Sequence, residues 1–315
     1  MMKYREIFLL IFTVAALSGA TQVNAEKKIV VDKNGNGNFT SLQEAINSVR
    51  AFDPAGPTTI FVKNGTYYEK IVISEHTCNV KIEGEDKDRT IITYNDHANI
   101  NKMGTFRTYT LQVRGNDITL ENLTVENNAE RLGQAVALHT EGDRIAIRNC
   151  KLLGNQDTFY AAGENRRIYL ENTYIEGTTD FIFGGATAWF ENCEIFCKTN
   201  SYITAASTAQ HVKYGFIFNN CKIALADSVD AMYLGRPWRA YAMTVFMNCY
   251  LPKGIRPEGW HNWDNTENEK TARYAEYNNR GEGSRTTKRV KWVKMLSKKE
   301  SRKITRANVL QDFAP

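Results

Sequence analysis

The chain has 315 residues, 42% hydrophobic and 24% charged, with a formal net charge of +5. That balance excludes a low-complexity disordered chain, a collagen and a disulfide-dense miniature. The charge is uneven: residues 285–306 carry +9, residues 1–25 carry +1 and the remainder −5, which excludes a uniformly basic nucleic-acid binder.

At the N-terminus, Met1-Met2-Lys3-Tyr4-Arg5 precedes an apolar run from Ile7 to Leu17, and Val23-Asn24-Ala25 follows. A basic start, a short apolar stretch and small residues at a cleavage point predict a signal peptide over residues 1–25. The run is too short for a lasting membrane span. The competing reading is a buried helix of the mature fold. The mature protein is therefore expected outside the cytoplasm, in a periplasm or beyond the cell, with no membrane attachment after signal removal.

Ser41 to Val49 reads as an amphipathic helix, with Thr40 or Ser41 as its N-cap and Glu44 in capping-box position. From residue 120 a pattern of apolar-x-Asn-x-x-apolar recurs, centred on Asn122, Asn149, Asn172, Asn192, Asn220 and Asn248, in steps of 27, 23, 20, 28 and 28 residues. Repeats of that length predict a solenoid, because one unit cannot bury its own apolar face. Short alternating strands such as Tyr214 to Phe218, without a helical period, make it an all-β solenoid. The helix at Ser41–Val49 would then cap its N-terminal end.

Stacking at the inter-strand spacing of about 4.8 Å would set the Asn side chains into an amide ladder. Four cysteines directly follow such an Asn: Cys150, Cys193, Cys221 and Cys249. Export permits disulfides, and stacked Cys193, Cys221 and Cys249 would be within range of one another. Thr173 and Leu123 fill the same slot, which favours free thiols packed as small core residues. No Cys/His grouping has zinc spacing, and no metal or other cofactor is expected.

The repeat converts spacing into geometry. Asp157 and Asp180 each lie eight residues after a repeat Asn and 23 residues apart, so they should sit on adjacent coils; Gln134 lies another 23 residues upstream. Two neighbouring carboxylates do not both ionise readily, so one should titrate high and one low. A surface pair of aspartates is the bland alternative.

Around these residues stand Gly133-Gln134-Ala135-Val136, Gly154-Asn155-Gln156-Asp157-Thr158-Phe159-Tyr160, Gly177-Thr178-Thr179-Asp180-Phe181-Ile182-Phe183-Gly184 and Leu234-Gly235-Arg236-Pro237-Trp238. In this order they resemble the signature motifs of pectin methylesterases (pectinesterases), and the resemblance runs over about residues 29–293. It implies a right-handed parallel β-helix that demethylates methyl-esterified homogalacturonan. It further implies Asp180 as nucleophile, Asp157 as general acid and then base, Gln134 and Gln156 as an oxyanion hole, and Arg236 orienting Asp180. Thr105, Tyr160, Phe183 and Trp238 would line the substrate groove. The domains would be a catalytic β-helix over 26–296 and a basic segment over 297–315, in a monomer whose partner is pectin rather than nucleic acid.

His139 has no partner pattern and reads as structural. Thr173 stands where plant-type members often carry a second cysteine, and Thr179 where Val is common before the nucleophile. A polygalacturonase-like glycoside hydrolase and a non-catalytic pectin-binding solenoid are the competing functions. The basic residues of 285–306 are either a solvated surface or an attractor for partly de-esterified pectin.

Overall fold

Each coil of the chain makes three short strands separated by corners, and the strands stack on their equivalents in the coils before and after. The computed structural model describes residues 27–53 and 56–315, and the expected signal peptide lies outside them. Among the described residues the strands form one parallel sheet of eleven and two of seven. The result is a parallel β-helix, as the repeat and the resemblance imply.

The repeat motif explains the packing. Its first apolar residue falls in the eleven-stranded sheet, where Leu120, Ile147, Leu170, Phe190, Phe218 and Phe246 are in register as one inward column. All six are fully buried. The Phe190, Phe218 and Phe246 rings stack with centroids 4.2 and 4.4 Å apart. The last apolar residue of each motif starts a second column in a seven-stranded sheet, through Val125, Leu152, Ile175, Ile195 and Ile223.

Between the two columns the chain turns at the asparagine. Asn122, Asn149, Asn172, Asn192, Asn220 and Asn248 all have φ between 48° and 58°. The left-handed region excludes most side chains and tolerates Asn. The expected amide ladder is present only in part: Asn149 donates to Asn122 at 2.7 Å, Asn220 to Asn192 at 2.5 Å and Asn278 to Asn248 at 2.9 Å. The turn, rather than the ladder, is what every corner shares.

The next residue points inward. Cys150, Thr173, Cys193, Cys221 and Cys249 are at most 1% exposed. Each donates to the carbonyl two residues before it: Cys150 to Arg148 at 3.2 Å, Thr173 to Glu171 at 3.0 Å, Cys249 to Met247 at 3.2 Å. In these five coils the slot holds a small side chain with one donor, so Thr replaces Cys there, while Leu123 fills it in the coil of Asn122 by apolar bulk alone. The thiols are free, and burial pushes that of Cys150 up to about 12.

A short helix, α1 (Leu42–Asn47), closes the N-terminal end with Leu42, Ala45 and Ile46 against the core. Ser41 caps it by accepting the Glu44 N–H. The Leu42 and Gln43 N–H groups donate to Glu69, a residue from the next coil, so the second part of the cap is tertiary.

The other end is closed by a buried ion pair. Arg289 grips both carboxylate oxygens of Glu276 at 2.7 and 3.2 Å, with both side chains at most 3% exposed. Trp260 Nε1 donates to the same carboxylate at 3.0 Å, and Arg289 also donates to the Gly283 and Pro257 carbonyls. Removing one member strands the other charge in the core. Arg289→Leu is expected to destabilise the fold by about 3–5 kcal/mol, and Arg289→Leu with Glu276→Leu to recover most of that loss. Denaturant melts of both variants check this; a double variant as unstable as the single would show that the pair's geometry, not its charge balance, matters.

Beyond it, the basic C-terminal segment lies across the outer face of the eleven-stranded sheet. Val309 and Leu310, with Leu296, Ile304 and Phe313 beside them, pack on Tyr169, Trp189, Ile217 and Val245. Arg167 donates to the Leu310 carbonyl at 3.0 Å and pairs with Asp312. Lys298, Lys299, Arg302, Lys303 and Arg306 face solvent from this strap.

Candidate active site

Two matching turns carry the two aspartates. Both read Gly-x-x-Asp, and both enter a strand of the same seven-stranded sheet, Phe159–Ala161 after Asp157 and Ile182–Gly184 after Asp180. The residue after each Asp folds back over the glycine. A Cβ on Gly177 would stand 2.2 Å from that of Phe181, and one on Gly154 would stand 2.7 Å from Thr158 Oγ1. Asp157 and Asp180 then take left-handed backbone, φ 67° and 49°. Strained backbone of this kind persists where the surroundings over-determine it. The strand register pairs Phe159 with Ile182, a 23-residue step, which sets Asp180 one coil above Asp157.

Gln134 departs slightly from its expected place. Leu138 pairs with Phe159, so this coil is 21 residues long and Gln134 is level with Asn155 rather than Asp157. The Ala135 N–H donates to the Gln156 carbonyl at 3.1 Å, which still brings Gln134 beside Gln156. Both glutamines line a pocket of about 220 Å³ with Asp157, Asp180, Arg236, Thr105, Phe183 and Trp238. Their side-chain amides make no hydrogen bond among the described residues, so their N–H donors are available to a ligand.

Arg236 follows the strand Tyr233–Gly235 and reaches across two coils to Asp180. Its Nε donates to Oδ1 at 3.0 Å and its Nη2 to Oδ2 at 2.7 Å. The guanidinium is held flat between two rings, 3.9 Å from the Tyr202 centroid and 3.7 Å from that of Trp263. A bidentate fork between aromatic faces fixes the orientation of Asp180 and favours its charged form.

The two carboxyls are thereby made unlike. Burial raises that of Asp180 above the ordinary value, and the hydrogen bonds and charge of Arg236 pull it back. Among the described residues Asp157 has no such fork. Burial, and then the negative charge of Asp180, lift it well above the usual range, with Arg236 opposing only as a nearby charge. Both carboxyls are raised, Asp157 the more, so the expectation of one high and one low is met only on its high side. Arg236 acts on Asp180 in the expected direction, but burial is the larger influence and the net shift is upward.

The walls are aromatic. Phe183 stacks on Tyr160 at 4.5 Å and 15°, so Tyr160 backs the wall instead of lining the pocket. Phe106, 48% exposed, leans 5.1 Å from Tyr160 and 6.4 Å from Trp238. Phe106, Trp263 and Ala205 also line the pocket and were not among the sequence candidates. His139 lies beneath Tyr160, its ring tilted with centroids 4.6 Å apart, and is 2% exposed; burial pushes its imidazole down to about 4. It lies behind the wall, as a structural histidine.

Comparison with known proteins points to one family. The family model for pectinesterase matches residues 28–312. The chain is 37% identical to pectinesterase 31 of Arabidopsis thaliana over 289 residues, covering 87% of this chain and 89% of that protein. It spans half the length of several other plant relatives described as probable pectinesterase/pectinesterase inhibitors. Among solved structures, the pectin methylesterase from carrot superposes with a TM-score of 0.85 at 28% identity, covering 90% of this chain and 92% of that one. A mutant pectin methylesterase in complex with a hexasaccharide superposes with a TM-score of 0.81 at 27% identity, covering 92% and 99%.

Proposed function

The chain belongs to the pectinesterase family of carboxylic ester hydrolases, and from that premise we infer that it hydrolyses the methyl esters of galacturonate in pectin, with Asp180 as nucleophile. The observation that carries this assignment of roles is the unequal pair: Arg236 grips Asp180 by both oxygens, whereas Asp157 has no such partner among the described residues and burial, then the charge of Asp180, lifts its carboxyl well above the usual range. A nucleophile must be ionised and a proton donor must not be.

The step follows from these states. Asp180 attacks the ester carbonyl, whose oxygen takes up negative charge between the amide N–H groups of Gln134 and Gln156. Neutral donors suit this task, since they stabilise the oxyanion without altering the titration of the aspartates. The tetrahedral intermediate collapses by breaking the bond to the methoxyl oxygen, and Asp157 gives that oxygen its proton, releasing methanol. An acyl-enzyme anhydride on Asp180 remains. Asp157, now a base, takes a proton from water, the water attacks the acyl carbon, and Asp180 leaves as carboxylate with the galacturonate acid as product. Trp238, Phe106 and Trp263 offer flat apolar faces to sugar rings beside the reacting ester.

Pectin is the partner on this reading, and the protein acts as an exported monomer without cofactor. The described residues include no helix long and apolar enough to cross a membrane. The competing glycoside hydrolase would use the same two aspartates to cut the polymer, but free amide donors beside them suit acyl transfer rather than glycosidic cleavage. The test measures both products from one incubation with highly esterified pectin. Methanol without new reducing ends supports the esterase; reducing ends without methanol would replace it with the glycosidase, and neither product would leave the binding solenoid.

A further inference from the structure

The sheet that carries Asp180 continues past it along the solenoid. Ile182 pairs with Thr204, which sets Tyr202 level with Asp180; Tyr202 pairs with Tyr233, and the Met232–Ile255 bridge places Arg256 beside Tyr233. Arg256 thus stands three coils beyond Asp180 on the same face, about 14 Å at the stacking distance of parallel strands. Between them the Tyr202 and Tyr233 rings are stacked at 5.3 Å and 9°, with a guanidinium at each end: Arg236 on Tyr202 at 3.9 Å and Arg256 on Tyr233 at 4.9 Å.

Arg256 opens into a second pocket, about 470 Å³, whose rim carries Lys253, Arg285 and Lys288. Arg256 donates its Nε to the Ala231 carbonyl at 3.2 Å, and its terminal nitrogens make no hydrogen bond among the described residues. Lys253, Arg285 and Lys288 are exposed and make no ion pair there. Arg289 in the same wall is neutralised by Glu276. Two acids are on the lining, Glu282 and Asp230, and the Asn200 amide that donates to Asp230 at 2.9 Å leaves its charge in place. The cations outnumber the acids, and a fork-shaped donor with free nitrogens matches a carboxylate.

We propose that this pocket, built on Lys253, Arg256 and Lys288, is a subsite for free galacturonate carboxylates of a partly de-esterified chain. The inference rests on the esterase reading, because each turnover converts a neutral ester into such an anion on the same polymer. A chain lying along the coils with an ester at Asp180 brings a unit a few sugars away over Tyr233 and Arg256. An anion there strengthens the hold on polymer that has already been partly processed. The basic run at 285–306 is thereby divided: Arg285 and Lys288 belong to the groove face, and the strap cations from Lys298 onward to the opposite sheet.

Calorimetry with a de-esterified oligogalacturonate long enough to reach from Asp180 to Arg256 tests the proposal. Wild type is compared with Lys253→Gln/Arg256→Gln/Lys288→Gln and with Lys298→Gln/Lys299→Gln/Lys303→Gln, which removes the same charge from the strap. The groove-face variant should bind about tenfold more weakly and lose most of the salt dependence, while the strap variant should change less than about twofold. Arg256→Lys alone should retain part of the affinity, and melting curves confirm that all variants are folded. Equal weakening in both triple variants would mean a general field and overturn the subsite, as would unchanged binding in the groove-face variant. Tight binding of inorganic phosphate by wild type would reassign the pocket to small anions and overturn it too. Methanol release from highly esterified pectin by wild type is measured alongside: its absence overturns the esterase reading and this inference together, whereas its presence with unchanged binding overturns only the latter.

Discussion

Asp180→Asn is expected to lower methanol release from esterified pectin by about 10⁴-fold or more, with the fold intact. The amide keeps the shape of the carboxylate, but it cannot form the acyl-enzyme. It also presents one acceptor to an Arg236 fork that now takes two. The guanidinium itself should stay in place, because Tyr202 and Trp263 hold it from both faces. The ester substrate carries no charge, so KM should move little and the loss should fall on kcat. Steady-state methanol release, with melting temperature as the fold check, decides the matter. A variant keeping more than a tenth of wild-type activity would show that Asp180 is not the nucleophile and would point to direct attack by water.

The solenoid and the carboxylate pair were legible in the sequence because both depend on local rules repeated at fixed spacing. The asparagines mark corners where the backbone must turn left-handed, and the Gly-x-x-Asp pair marks two copies of one turn. The amide ladder was a weaker inference, since it requires neighbouring corners to align as well as to exist. Gln134 shows how coil length limits such counting: a 21-residue coil beside a 23-residue one moves a residue two places in register. Phe106 was illegible because it sits in the single short turn Thr105–Arg107, outside any repeat, and reaches the pocket only through the packing of its loop. The cap from Glu69 onto α1 and the clamp of Trp263 on Arg236 join residues that no periodicity links. The cationic pocket at Arg256 was hidden for a different reason. Its charge was visible in part, but net charge along the chain does not tell which of ten basic side chains share a face with the site.

Asp157→Asn is expected to cut activity by about 10²–10⁴-fold and at the same time to raise the melting temperature at neutral pH. Activity falls because the amide cannot protonate departing methanol or deprotonate water, and the alkaline limb set by Asp157 should vanish from the kcat/KM profile. Stability rises for a reason the linkage sign makes explicit. The folded carboxyl holds its proton well above the usual range, first through burial and then through Asp180, whereas the unfolded chain releases it near the ordinary value of about 3.9. Its favourable contribution is therefore complete below about pH 4, and declines as pH rises towards the folded value. The wild type is thus penalised at neutral pH by a group held ready for catalysis. Asn carries no proton to lose and escapes the penalty. Melting temperatures of the two proteins should coincide near pH 3.5 and separate by about 2–4 °C at pH 7, with the variant higher. The gap should open near the unfolded value, and the pH at which it stops widening reads the folded titration of Asp157. Identical curves at both pH values would mean that the carboxyl titrates normally, and with that the assignment of Asp157 as proton donor would lose its physical basis.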